Sequence, residues 1–75
     1  MYTLRINYSG GSHKIYSSID KIEYKTFLDN IKVSGDEILT HRFTLGHDLQ
    51  LFSKNEKYFV PRQGIVGILV LKEGS

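Results

Sequence analysis

Residues 2–17 read YTLRINYSGGSHKIYS, and this stretch indicates a β fold. Apolar and polar side chains alternate from Tyr2 to Tyr8, a period typical of a strand with one buried face. Gly10-Gly11 then suits a tight two-residue hairpin turn, because both glycines tolerate a positive φ angle. With that turn Ile6 faces Ile15, so the apolar faces of the two strands match. The stretch therefore predicts an antiparallel hairpin.

A second hairpin is predicted over residues 19–33. Side chains alternate again from residue 19 to 28, and Asp29-Asn30 forms a two-residue turn because both residue types tolerate the left-handed region. This turn pairs Leu28 with Ile31 and leaves the lysines on the opposite face.

One short helical turn is expected after the second hairpin. Ser34 and Glu37 have the spacing of a capping box, which predicts helical residues from about 36 to 40. The rest of the composition favours strands. The chain has no alanine, the best helix former, but it has nine aromatic residues, eight isoleucines and four valines.

A third hairpin and a final strand complete the pattern. Lys54-Asn55 closes a turn that sets Leu51 opposite Tyr58. The last strand, Ile65–Leu71, is apolar on both faces, which is typical of a central buried strand or of a subunit interface. Gly67 inside it suggests a bulge or a close approach of another backbone.

These elements predict one all-β domain over residues 1–75, with one short helical turn. The expected architecture is a small antiparallel meander of about six strands that closes into a barrel, with a two-layer sandwich as the alternative. The polar tail, Lys72–Ser75, is expected to fray.

Composition excludes several classes of protein. The chain contains no cysteine, so disulfides, thiolate metal sites and cysteine nucleophiles are ruled out. No apolar stretch approaches the roughly 20 residues of a membrane-spanning helix, and no signal peptide is recognisable. The formal net charge is +2, without a run of like charges. We therefore expect a cytoplasmic protein without a membrane partner.

No motif indicates catalysis, a cofactor or a metal site. The nucleophile elbow, the P-loop and the dinucleotide fingerprint are all absent from the sequence. His41, His47 and Asp48 are suitable metal-ligand types, but their spacing matches no metal motif, and we interpret them as ordinary loop residues. His13 is expected opposite Tyr8 at the rim of the sheet. The chain is therefore predicted not to be an enzyme.

The most promising candidate binding residues lie around the third hairpin. Phe52, Lys57 and Phe59 share one face, Lys54 extends the same edge, and Arg62 lies close by. Aromatic side chains are enriched at the hot spots of protein interfaces, and exposed aromatics beside basic residues are typical of barrels that bind single-stranded nucleic acid. We predict that these five residues contact a partner.

The function that fits best is a non-enzymatic binding or regulatory module for a protein partner. Binding would use the aromatic and basic sheet face or strand addition at an edge. The small size suggests an inhibitor or adaptor of the kind that phages and mobile elements encode. The alternative is a single-stranded nucleic-acid-binding β-barrel. A homodimer through Ile65–Leu71 is a further expectation.

Overall fold

The computed structural model describes residues 1–74 and contains six strands and one short helix. All six strands belong to one sheet, and each pairing between them is antiparallel. The prediction of a mainly β fold is therefore confirmed. In chain order the elements are β1 (Tyr2–Tyr8), β2 (His13–Lys25), β3 (Asn30–Ser34), α1 (Glu37–Thr40), β4 (Leu49–Ser53), β5 (Lys57–Val60) and β6 (Ile65–Lys72).

The sheet is organised around β2, which is thirteen residues long and pairs with three other strands. Ile19 pairs with both Tyr2 and Ser53, so β1 and β4 must lie on opposite edges of β2. The pairing of β2 with β1 ends at Ile19. On the same edge of β2, Lys21 to Lys25 pair with β3. The strand order is β5-β4-β2-β1-β6, with β3 attached to β2.

The two ends of this sheet do not meet within the described residues. Among residues 1–74, β5 pairs only with β4, and β6 pairs only with β1. The structure shows one open sheet, so the predicted closure into a barrel, like the two-layer sandwich, is not confirmed.

The position of β6 corrects one interpretation of the sequence. Its apolar residues on both faces predict a central buried strand or a subunit interface, and the first alternative is wrong because β6 is an edge strand. Ile68 and Val70 pack against the core, whereas Leu69 and Leu71 are exposed on the outer face, and Val66, next to the register shift, is also exposed. A two-sided apolar pattern here reflects an exposed apolar surface rather than burial. The pairing with β1 shifts register next to Gly67, where a bulge was expected.

The register predicted for the first hairpin is wrong by one residue. Ile6 pairs with Lys14, and Ile15 pairs with Arg5. The turn between Tyr8 and Ser12 holds three residues rather than two, and both of its glycines have φ near +90°. Because side chains alternate along a strand, this odd shift moves Ile15 to the outer face, where it is 58% exposed. His13 moves with it and lies opposite Asn7 rather than Tyr8.

A bulge at Ser18 then restores the alternation along β2. Ser18 has φ +58°, and the pairing with β1 shifts register beside it, which returns Ile19 to the core. The main-chain N–H of Ser18 donates to the Glu73 carboxylate at 2.6 Å, and the Thr3 hydroxyl donates to the same oxygen at 2.5 Å.

The prediction that the tail frays from Lys72 onwards is consequently wrong for the residues up to Glu73. These two hydrogen bonds and a main-chain hydrogen bond to Met1 hold Glu73 in place. Ser75 lies outside the described residues. A carboxylate that accepts two hydrogen bonds thus links the C-terminal segment to the bulge that bends β2.

The second hairpin keeps its predicted faces but not its register. Lys25 pairs with Asn30, whereas Leu28 was expected to pair with Ile31. The Thr26 hydroxyl oxygen accepts hydrogen bonds from the main-chain N–H groups of Leu28 and Asp29. These bonds close the turn and keep Leu28 out of β2. The shift is even, so the apolar and basic faces are unchanged.

The third hairpin and the helical turn agree with the sequence analysis. Leu51 pairs with Tyr58, as the Lys54-Asn55 turn predicts. The helix, α1, lies within the predicted residues 36–40, but the predicted capping box is wrong: the N-cap is Asp36 rather than Ser34, and among the described residues no side chain bonds to the first main-chain N–H groups of the helix. The Asp36 carboxylate instead accepts a hydrogen bond from the Tyr2 hydroxyl, with the two oxygens 2.6 Å apart.

The core lies on one side of the sheet, and α1 contributes Ile38 to it. Tyr8, Tyr16 and Phe43 pack partly buried at its margin. The buried side chains of the core are Tyr2, Leu4, Ile6, Ile19, Ile22, Tyr24, Val33, Ile38, Leu49, Leu51 and Val60.

A matched pair of substitutions tests the register of the first hairpin. Ile6→Ala is expected to lower the free energy of unfolding by about 2–5 kcal/mol, because Ile6 is fully buried and its removal leaves a cavity. Ile15→Ala is expected to change it by no more than about 0.5 kcal/mol, because Ile15 faces solvent. Urea denaturation measures both values. A cost above 2 kcal/mol for Ile15→Ala would restore the register inferred from the sequence.

The two partnered carboxylates predict a loss of stability in acid. The Thr3 hydroxyl and the Ser18 N–H lower the pKa of Glu73, and the Tyr2 hydroxyl and the nearby Lys72 lower that of Asp36. A carboxylate with a lowered folded-state pKa stabilises the protein above its ordinary pKa of about 4, and this contribution is lost as pH falls through the folded-state value. The urea concentration at the midpoint of unfolding should therefore decrease as the pH is lowered from 6 to 3. It should decrease less in Glu73→Gln. An equal fall in this variant would contradict the assignment.

Candidate binding surfaces

The outer face of strands β2 to β5 carries most of the exposed positive charge of the sheet. Residues directly opposite each other on paired strands share a face, as do residues two apart on one strand. We call this surface the basic–aromatic face. Its members are Lys21, Glu23 and Lys25 on β2, Lys32 on β3, Gln50 and Phe52 on β4, and Lys57 and Phe59 on β5.

Phe52 lies at the centre of one row across this face. Lys21 pairs with it from β2 and Lys57 from β5. The two ammonium groups lie 4.4 Å and 5.5 Å from the centroid of the ring, which is within cation–π range. Phe52 therefore holds two positive charges close together. Phe59 lies in the next row and is 59% exposed.

The five predicted binding residues fall into two groups. Phe52, Lys57 and Phe59 lie together on the basic–aromatic face, as the hairpin pattern predicts. Lys54 lies in the turn before β5, and Arg62 lies beyond the other end of that strand. The structure therefore brings three of the five together, while partner contact by all five stays a prediction.

The sequence analysis did not include Lys21 and Lys32 among the binding residues. Alternation placed both on the polar side of their strands, but it gave no indication of which strand would lie beside them. The pairing of β2 with β4 joins residues about thirty positions apart, so Lys21 becomes a neighbour of Phe52 only in the folded chain.

A shallow depression adjoins this face at the end nearest the β2–β3 turn. Lys25 and Lys32 line it, but so do Glu23 and Asp48. Asp48 also accepts the main-chain N–H of Arg62 at 2.7 Å. Because the charges around the depression are mixed, it offers no strong preference for an anion or a cation.

A second surface lies at the other end of the sheet, and we call it the apolar edge. It consists of the unpaired edge of β6 and the exposed side chains beside it. Arg5 on β1 pairs with Ile15 on one side and with Leu69 on the other, so apolar residues flank it across three strands. Val66 and Leu71 extend the apolar edge along β6.

The loop histidines form an aromatic cluster around Tyr24. His41 Nε2 and the Tyr24 hydroxyl are 2.7 Å apart, and the His47 ring stacks on Tyr24 with centroids 5.5 Å apart. Phe43 packs edge-on against His41 at 4.7 Å. These contacts explain the two histidines as packing and hydrogen-bonding groups that attach the α1–β4 loop to the core.

The turn between β2 and β3 exposes two large apolar side chains. Phe27 is 101% exposed and Leu28 is also free of the core. The hydrogen bonds of Thr26 hold this turn in a defined conformation. Phe27 and Leu28 are therefore dispensable for packing.

Two further findings concern residues 1–74. No group of three or more histidine, cysteine, aspartate or glutamate side chains is arranged to hold a metal ion in this part of the chain. In the same residues, no helix has the length and apolarity needed to cross a bilayer.

Comparisons with protein-family models, with curated proteins and with solved structures found no match to this chain.

A double-mutant cycle tests the link between Tyr24 and His41. Tyr24→Phe and His41→Phe should each lower the free energy of unfolding by about 0.5–1.5 kcal/mol, because each removes one partner of a part-buried hydrogen bond. The double variant should cost less than the sum of the two, since the second change removes no further bond. Fully additive costs would show that the hydrogen bond contributes nothing.

Proposed function

We propose that the chain is a non-enzymatic binding module that engages a protein partner by strand addition at the apolar edge. The observation that supports this proposal is the position of β6, an eight-residue strand with β1 as its one partner in residues 1–74.

An unpaired strand edge presents a row of N–H and C=O groups that can pair with another chain. Natural proteins usually protect such edges with prolines, inward-pointing charges or short strands. From Ile65 to Leu71, β6 contains no proline and no charged residue. Apart from Lys72 at its end and the register shift beside Gly67, this edge has little of the usual protection, as expected of a strand that has a partner.

The outer face beside this edge has the side chains that strand addition requires. Main-chain hydrogen bonds provide affinity in this binding mode, and alternate side chains provide specificity. Leu69 and Leu71 are exposed on β6, and Ile15 is exposed two strands away. An added strand with apolar side chains on the same face would extend this surface.

Such a module would act as an adaptor or inhibitor, because occupying an edge or segment of a partner needs no chemistry of its own. The absence of cysteine is compatible with a reducing compartment, and we keep the cytoplasm as the proposed location. A second copy of the chain would use the same edge, so self-association through Ile65–Leu71 would compete with a different partner.

A pair of lysine substitutions at equally exposed leucines tests the proposal. Leu69→Lys introduces a charge beside the β6 edge, and Leu39→Lys introduces the same charge on α1. The two leucines are 46% and 48% exposed. Tagged wild-type protein and both variants would be used to isolate binding proteins from the source cell. The captured partner would then be added to labelled wild-type protein, and hydrogen exchange would be followed at each amide.

We expect Leu69→Lys to lose the partner, Leu39→Lys to retain it, and binding to slow exchange at the edge-facing amides of β6. A partner that is retained by Leu69→Lys, or that protects β4 and β5 instead, would refute strand addition at β6. Sedimentation of the wild-type protein alone would show whether the partner is a second copy.

A further inference from the structure

The charge on the basic–aromatic face exceeds that of the whole molecule. Four lysines and one glutamate give this face a formal charge of +3, whereas the whole chain carries +2. The remainder of the chain therefore carries −1. The sequence shows no run of basic residues, so the pairing of β2 with β3 and β4 is what concentrates the charge.

Little of this positive charge is neutralised within the described residues. The one ion pair there joins Lys21 to Glu23 at 3.1 Å. Lys25, Lys32 and Lys57 have no carboxylate within ion-pair distance in that part of the chain. A surface of this kind attracts polyanions and holds them with a strength that depends on salt.

Two phenylalanine rings lie among these lysines. Phe52 and Phe59 occupy neighbouring strands on diagonal positions, which places their side chains roughly 7 Å apart. Phe59 is well exposed, and Phe52 is half-buried beneath Lys21 and Lys57. Aromatic rings on a basic surface are stacking platforms for the bases of single-stranded nucleic acids.

We propose that the basic–aromatic face binds single-stranded nucleic acid without sequence preference. One base stacks on Phe59, a neighbouring base lies against the accessible part of Phe52, and Lys21 and Lys57 contact the phosphates between them. Lys32 on β3 extends the positive surface beyond these two rings.

The combination of rings and charges favours a single strand over other polyanions. A duplex keeps its bases stacked internally, so it would use the lysines and leave Phe59 exposed. An acidic peptide would also use the lysines, but it has no set of planar groups that matches the two rings. The site is independent of the apolar edge, because β5 and β6 lie at opposite ends of the sheet.

Fluorescence anisotropy with a labelled 12-nucleotide oligothymidine tests this proposal over a range of potassium chloride concentrations. The matching duplex and a poly-glutamate peptide serve as competitors. Three variants separate stacking from charge. Phe59→Leu removes the ring and keeps an apolar side chain, Lys57→Gln removes one charge from the face, and Lys14→Gln removes one exposed charge outside it. Thermal unfolding confirms that each variant is folded.

We expect the oligothymidine to bind at low salt, with a slope of log affinity against log salt of about −0.7 for each phosphate contacted. Phe59→Leu should weaken binding roughly 5- to 100-fold without changing this slope, because a stacked base is lost and no charge is removed. Lys57→Gln should weaken binding and reduce the slope by about 0.7. Lys14→Gln should have no effect.

Three results would overturn the proposal. The first is no binding of the oligothymidine at low salt. The second is binding that Phe59→Leu does not weaken, which would indicate a non-specific basic surface. The third is competition by poly-glutamate or by the duplex that is as effective as competition by unlabelled oligothymidine at the same concentration. Poly-glutamate would then indicate an acidic protein as the ligand, and the duplex would indicate duplex DNA. None of these results bears on strand addition at β6.

Discussion

The fold depends on the ability of one strand, β2, to use both of its edges at Ile19. Tyr2 on β1 and Ser53 on β4 pair with this residue from opposite sides, so the two halves of the sheet meet there. The bulge at Ser18 allows the strand to bend at this junction, and the Glu73 carboxylate satisfies the N–H group that the bulge leaves unpaired. The end of the described chain thus stabilises the point from which the other strands extend.

The same junction separates the two outer surfaces. Strands β1 and β6 extend from one edge of β2 and carry the apolar side chains of the apolar edge. Strands β4 and β5 extend from the other edge and, with β2, carry Phe52, Phe59 and most of the lysines. A 75-residue chain with weak overall charge and no long apolar segment therefore presents two surfaces of different chemistry. We infer a protein partner for one surface and a polyanion for the other.

Sequence reasoning succeeded where the determinants are local. The Lys54-Asn55 turn fixed the third hairpin and with it the neighbours Phe52, Lys57 and Phe59. It failed where geometry depends on a single residue or on distant contacts. Gly10-Gly11 is compatible with two-residue and three-residue turns, and the choice between them decides whether Ile15 is buried. The pairing of β1 with β6 joins the two ends of the chain, so no local pattern shows that β6 is an edge strand.

Both the open sheet and the proposed binding mode depend on a free edge of β6, and native-state hydrogen exchange can detect this edge. The experiment uses protein at a concentration where sedimentation shows a monomer. In an antiparallel edge strand, alternate N–H groups bond to the neighbouring strand and the others point to solvent. We therefore expect slow and fast exchange to alternate along β6. Uniformly slow exchange would show that both edges of β6 are paired, and it would contradict both the open sheet and the proposed binding site.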